Sequence, residues 1–407
     1  MHPKRPLPPL EAVNEIRKDS GQVALVLQGG GALGAYQGGV YQALHEAGIE
    51  PDWIIGTSIG AINASVIAGN RPEERVNRLR EFWKRVERAN YWGAFPAWAG
   101  VADALASWMT LTSGISGFFE PHTRAFQGAH VHLGPDHAGY YSTEPLRKTL
   151  EELVDFELLN GGATRLTVGA AHVRTGAMHY FDSRDMALTA NHVMASGALP
   201  PAFPAIRIGG ELYWDGGILS NTPTERIFDD DPRRNGLIFA VHLWNPTGPE
   251  PETIWQILNR HKDIQYSSRI ANYIVRQRQT HKLRHVISEF LKFVPEEAKQ
   301  RPEVKTLAAY SCRTRMHVVR LLAPRLENES HIKDIDFSPA GIRMRWEAGY
   351  ADTVDALERQ PWLGEWDPLE GVILHEPHKG AEPAAEIGMD AAAATPSRDG
   401  PVALAAE

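Results

Sequence analysis

One pentapeptide, Gly56-Thr57-Ser58-Ile59-Gly60, constrains this 407-residue chain more than any other stretch. A short apolar run, Asp52 to Ile55, precedes it, and an apolar pattern of helical length through Ala68 follows. A G-x-S-x-G sequence between a strand and a helix forces the serine into a sharp turn that lifts its hydroxyl above the sheet edge. The flanking glycines are required because larger side chains would collide at so tight a bend.

The neighbouring segments extend this unit. Val23 to Gln28 reads as a buried strand ended by three glycines, and Ala35 to Ala47 has helical spacing with Gly48 in the stop position. Strand, helix, strand, helix in that order predicts a parallel sheet covered on both faces. A charged helix over Arg71 to Arg88 follows. Strand-like runs recur at Arg165 to Ala171, Ala177 to Phe181 and Leu237 to Trp244, with a helix near Asn191 to Gly197. The expected fold class is α/β: a three-layer sandwich around a central, mostly parallel sheet, with a helical C-terminal extension. Residues 1–20 read as a polar N-terminal arm and 21–245 as the catalytic domain. The prolines from Pro246 to Pro251 open a mainly helical region, 246–375, whose strand at Arg315 to Leu322 is able to rejoin the sheet. Within it helices are expected over Thr253 to Phe293, Val304 to Tyr310 and Pro339 to Leu357. Residues 376–407 are rich in Ala, Glu, Pro and Gly and read as a disordered tail.

Bulk composition removes several classes. A formal net charge of -8 argues against a nucleic-acid partner, which would favour a basic balance. The single cysteine, Cys312, forms no intramolecular disulfide and reads as a filler residue rather than a catalytic thiol. With no apolar leader at the N-terminus and no run of about 18 apolar residues, a cytoplasmic protein with optional peripheral membrane contact is expected. Metal sites are not expected either: H-E-x-x-H and paired C-x-x-C are missing, and His375 and His378 stand near the polar tail. No cofactor is implied.

Two further segments complete the chemistry that Ser58 suggests. Gly29-Gly30-Gly31, directly after the first strand, offers backbone N–H groups unobstructed by side chains, as an oxyanion requires. Gly29, Gly31 and Gly34 also fit the dinucleotide fingerprint G-x-G-x-x-G, which expects an acidic residue at the far end of the second strand. Here Asp52 is at the near end and the far end is the serine turn. Asp215-Gly216-Gly217 follows a short strand. A carboxylate beside two glycines suits a base acting on a nearby hydroxyl, although alone it is an ordinary turn. A conventional triad would instead use histidine, with His242 the best placed in order and His172, His179 and His192 preceding the acid.

Over roughly Leu25 to Trp244 the chain resembles the patatin-like phospholipases. The resemblance rests on the glycine run, the GTSIG turn, ASGALPPAFP (Ala195 to Pro204) and the DGG turn, in that order. It implies a catalytic dyad without histidine, Ser58 and Asp215, and an oxyanion hole drawn from Gly29, Gly30, Gly31 and Gly34. Gly56, Gly60, Gly216 and Gly217 would support the elbow and turn. The implied activity is hydrolysis of acyl esters, commonly of glycerophospholipids. The alternatives are a non-phospholipid ester or thioester substrate (neutral lipid, acyl-CoA or storage polyester), or an idle membrane-binding protein that keeps the fold. Many members carry Arg or Lys where this chain has Ala32-Leu33, which puts lipid preference in question more than catalysis. The segment beyond Pro246 resembles an extension found on some bacterial members.

Two regions bear on substrate and membrane. The aromatic stretch from Tyr91 to Phe119, with Trp92, Phe95, Trp98, Trp108, Phe118 and Phe119, fits an acyl-chain wall or an ordinary helical layer. Arg260, Lys262, Arg269, Arg276, Arg278, Lys282 and Arg284 face a single acid, Asp263, in the same stretch. That stretch fits a basic amphipathic helix on anionic lipid, or a solvated helix face. The oligomeric state is left open.

Overall fold

The run QVALVL alternates its side chains between two apolar layers, which is possible only for a strand covered on both faces. The computed structural model describes residues 21–88, 114–325 and 333–376, without the side chains of 268–272, and places this run as β1 (Gln22–Leu27) in mid-sheet. Val23, Leu25 and Leu27 enter one core, and Ala24 and Val26 enter the other. The arm 1–20, the aromatics from Tyr91 to Trp108 and the tail from Pro377 lie outside the described residues.

Eight further strands join β1: β2 (Trp53–Thr57), β3 (Arg165–His172), β4 (Met178–Asp182), β5 (Ile206–Ile208), β6 (Glu211–Asp215), β7 (Gly236–His242), β8 (Met316–Leu322) and β9 (Val372–His375). The order is β9-β8-β7-β1-β2-β3-β6-β5, with β4 also paired to β3. From β9 to β3 every pairing is parallel; β4 and β6 pair antiparallel with β3, and β5 pairs antiparallel with β6. The late strand β8 thus lies directly beside β7, in register from Met316 against Gly236 to Leu322 against His242. The described residues belong to one compact unit.

Helices α1 (Ala35–Glu46), α2 (Ile59–Ala68), α3 (Pro72–Arg85), α4 (Glu144–Leu153) and α5 (Ala190–Ser196) precede the long α6 (Ile254–Phe290) and α7 (Pro339–Arg359). The larger core lies between the sheet and α1 to α5, and α7 shares that side by packing along α1. The approach is close: a methyl group on Gly39 would overlap the Trp346 carbonyl, and one on Gly349 the Tyr36 carbonyl. Hydrogen bonds Tyr36–Asp352 (2.9 Å) and Trp346–Gln42 (2.7 Å) fix the pair. The second core holds Trp53, Phe228 and Val318, with Tyr273 of α6 packed against it. Three layers result, α/β/α.

Most element types agree with the sequence reading to within a few residues at each end. The exceptions among the labelled elements are β5, which follows directly on a proline-rich stretch, and α4 and β9; the sequence reading proposed no element at any of the three.

Candidate active site

β1 and β2 are adjacent and parallel, so the loops leaving their C-terminal ends meet at one edge of the sheet. After β2 the chain turns at Ser58 with φ 56° and ψ −126°, a conformation that costs a non-glycine residue about 1–3 kcal/mol. Gly56 and Gly60 make the turn possible: a Cβ on the first would overlap the Gly60 carbonyl, and one on the second the Leu27 carbonyl. The turn is pinned from α5, where Ser58 N–H donates to both the carbonyl (3.1 Å) and the hydroxyl (3.0 Å) of Ser196. The fully buried Ser196 hydroxyl itself donates to Gly169 O at 2.6 Å. Ser58 remains half-buried at the start of α2.

Asp215 ends β6 and is 3% exposed. Its amide donates to Ala198 O (2.9 Å), and its Oδ1 accepts Gly217 N–H (2.7 Å). Burial pushes the carboxyl up to about 6, against the opposing pull of hydrogen bonds from the Ser58 hydroxyl and Gly217. Gly216 is confined by the Gly169 carbonyl, so the chain at this point has room for no side chain. Ser58 and Asp215, far apart in sequence, are therefore brought close enough for the hydroxyl to influence the carboxyl.

Gly29 to Gly34 follow β1. Gly29 N–H donates to Asn221 O (3.1 Å), while its own carbonyl accepts from Asn221 Nδ2 (3.1 Å) and the Trp244 indole (2.9 Å). Its amide is thus committed, and its lack of a side chain is what matters: a Cβ would stand 3.0 Å from that of Ser58. The amides of Gly30 and Gly31 have no protein acceptor among the described residues, as befits the start of the 3-10 turn Gly31–Gly34. Gly34 instead allows close packing against Ile59, and its carbonyl accepts Asn63 Nδ2 at 3.0 Å. Leu33 is buried against the core, with no cation of its own to offer.

A buried polar network that motif reading misses holds this loop from below. Gln28, fully buried, accepts Leu243 N–H and Trp244 N–H through Oε1, and its carbonyl takes Gln37 Nε2 at 2.6 Å. Gln37 accepts from Asn63 (2.8 Å), and Asn63 from the Trp83 indole (3.1 Å). The glutamine ending the apolar run of β1 was the available signal, since an uncharged polar residue there must find partners.

A cavity of about 240 Å³ adjoins the Asp215 turn, lined by Gly217, Asn221, Thr222, Glu225, Tyr266 and Tyr273 among others. Burial raises the Tyr266 pKa, and the nearby charge of Asp215 adds to the shift.

The histidines are occupied elsewhere. His242 is buried on β7, held neutral by burial and by Arg320. His172 bonds Glu211 (3.2 Å), His179 packs on Phe181 and Tyr213, and His192 caps its own helix through Thr189. Cys312 contacts the Thr314 hydroxyl (2.9 Å). His375 stacks on His317, and His378 lies outside the described residues. No cluster of three potential metal ligands occurs among the described residues. Phe118 and Phe119 pack together and against Phe203 in the core.

Much of the basic stretch on α6 is committed. Arg260 donates to Asn245 O (3.4 Å) and to Pro246 O, Lys262 to Asp334 (2.8 and 2.9 Å), and Arg278 to Glu370 (3.1 Å). Arg276 and Lys282 are exposed. Among the described residues no helix is long and apolar enough to cross a membrane.

Residues 25–228 match a family model described as patatin-like phospholipase, and residues 264–369 match a second, described as patatin phospholipase. The triacylglycerol lipase ptl3 of Schizosaccharomyces pombe is 42% identical over 69 residues, 17% of this chain and 14% of that protein. Patatin-like phospholipase domain-containing protein 7 of Mus musculus is 28% identical over 205 residues, 50% of this chain and 12% of that protein. The chain thus matches only a small part of these curated relatives. Among solved structures, VipD from Legionella pneumophila aligns at 16% identity over 83% of this chain and 67% of that one, with a TM-score of 0.35. The family model that spans half of the sequence settles the affiliation: this chain belongs to the patatin-like phospholipase family.

Proposed function

We propose that the protein hydrolyses carboxylic esters of lipids, with Ser58 as nucleophile and Asp215 as its base. The observation that carries this reading is the buried Asp215 carboxyl, 3% exposed and raised to about 6, close enough to Ser58 to feel its hydroxyl. A base poised near neutrality, in contact with a hydroxyl on a strained turn, is what proton removal from serine requires.

In the first half-reaction Asp215 accepts the Ser58 proton as Oγ attacks the ester carbonyl carbon. The resulting oxyanion receives hydrogen bonds from the open amides of Gly30 and Gly31. Collapse breaks the bond to the alcohol, which leaves with the proton held by Asp215. In the second half-reaction water gives a proton to Asp215 and attacks the acyl-enzyme. Collapse then releases the fatty acid, and Ser58 recovers its proton. Gly29, Gly34, Gly56, Gly60, Gly216 and Gly217 serve this cycle by leaving room for backbone approach. The cavity beside the Asp215 turn is the space we assign to the polar portion of the substrate.

Peripheral membrane contact belongs, in this reading, to the C-terminal half of α6. Exposed Leu283, Val286 and Phe290 lie there, with Phe293 just past its end, near the exposed cations Arg276 and Lys282.

The test is turnover of p-nitrophenyl esters from short to long acyl chains by wild type, Ser58→Ala and Asp215→Asn. Turnover by wild type alone, rising with chain length, is expected. Turnover retained by Ser58→Ala would defeat the assignment.

A further inference from the structure

The amides of Gly30 and Gly31 have no protein acceptor among the described residues, so this part of the loop is held by contacts of another kind. The segment that meets it comes from near the other end of the described chain. Gly31 takes φ +56°, and a methyl group there would overlap the carbonyl oxygen of Asp334. The loop and the 3-10 turn Lys333–Ile335 are therefore in direct backbone contact.

That turn is held on both sides by charge. The Asp334 carboxylate accepts Lys262 Nζ at 2.8 and 2.9 Å. Lys333 points inward, 3% exposed, and donates to Asp263 Oδ1 at 2.7 Å. Asp263 is equally buried and also receives Arg325 Nη2 at 3.1 Å. The two partners on α6, Lys262 and Asp263, are consecutive, so the helix grips consecutive residues of the turn. A second route reaches the loop: the Lys333 ammonium lies 5.4 Å from the centre of the Trp244 ring, whose indole donates to Gly29 O.

A ligand site at this junction is ruled out by space. The gap bordered by Leu33, Arg325, Lys333 and Arg345 is about 10 Å³, at or below what one water needs. The junction is a packed joint.

We infer that the paired clasp Lys262–Asp334 and Asp263–Lys333 positions the oxyanion-binding loop, which makes these four side chains positioning residues for the hydrolysis. The inference rests on the reading of Ser58 and Asp215 given above. Buried Asp263 and Lys333 supply a geometry that tolerates little displacement, because each charge left unpaired would be costly. The Lys262–Asp334 pair is more open, at 33% and 23% side-chain exposure, and pairs of that kind contribute little to stability. Its effect is therefore on placement, and that makes it the experimental handle.

The experiment compares Lys262→Met, Asp334→Asn and the swapped double variant Lys262→Asp/Asp334→Lys in the full chain. It reads kcat and KM on a p-nitrophenyl ester, the rate of Ser58 labelling by a fluorophosphonate, and the melting temperature. Each single variant is expected to lower kcat and the labelling rate about tenfold, because a displaced oxyanion donor weakens transition-state binding. KM and melting temperature should stay close to wild type, and the swap should restore most of the lost rate. Wild-type kcat in both single variants, or a loss that follows the melting temperature, would overturn the clasp alone. Failure of wild type to label at Ser58 would overturn the underlying reading and the clasp together.

Discussion

Burial moves the Asp215 carboxyl up to about 6, while the Ser58 hydroxyl acts on it and pulls its pKa down. Ser58 follows β2 and Asp215 ends β6, strands separated in the sheet by β3 alone. One relation sets both the chemistry of the site and its energetic liability.

Activity follows from the ionised form of Asp215. We expect kcat/KM to rise with pH through about 6 and to level off above it. The stability effect has the opposite sign. A carboxyl with a folded pKa above its unfolded value favours the native state below about pH 4, and this contribution is lost as pH rises through 6. Asp215→Asn should therefore be inactive yet more stable than wild type at pH 7, by about 2–3 kcal/mol, with the difference vanishing near pH 4. Urea unfolding at the two pH values checks this; equal stability at pH 7 would contradict it.

The strained turn offers a second comparison. Ser58→Ala and Ser58→Gly both remove the nucleophile, but only glycine relaxes φ 56°. The glycine variant should be the more stable of the two by about 1 kcal/mol. Thermal melts of the two inactive proteins decide it.

Ser196 lies within the ASGALPPAFP segment, but its role as a support is set by its contacts in the fold. Its hydroxyl links Ser58 N–H to Gly169 O, so Ser196→Ala leaves a buried carbonyl short of a donor. A stability loss of about 1–2 kcal/mol is expected. Loosening of the elbow should lower kcat by about tenfold as well. Ser196→Thr, which keeps the hydroxyl, is the control for loss of volume.

On vesicles, Phe290→Ser/Phe293→Ser should reduce flotation with neutral and anionic lipid alike. Arg276→Glu/Lys282→Glu should reduce it on anionic vesicles only, by about 1 kcal/mol per charge removed. Equal partition of wild type onto both lipids would remove the electrostatic part.

Sequence reading located the residues whose roles depend on steric demands made by their immediate neighbours. The serine turn needs Gly56 and Gly60, and β1 alternates between two cores; both are local facts. It could not locate Gln28, Asn63, Ser196 or Asn221 as supports, because their partners are supplied only when distant strands and helices become adjacent. The basic stretch on α6 shows the same limit. Read in its own window it had one acid, Asp263, and an excess of cations. In the fold Asp334 and Glu370 arrive from far along the chain, and Asp263 itself turns inward to Lys333 and Arg325. Gly29 is a subtler case, since a glycine run signals available amides without saying which will already be bonded.

The position of β8 beside β7 bears on how this protein can be divided in the laboratory. All seven residues of β7 are buried, and β8 satisfies the outer edge of its backbone. A fragment ending near Pro246 would keep Ser58, Asp215 and the glycine run but present that apolar edge to solvent, an invitation to intermolecular strand pairing. Such a fragment should aggregate rather than behave as a minimal enzyme, so the shortest workable expression boundary lies after β9.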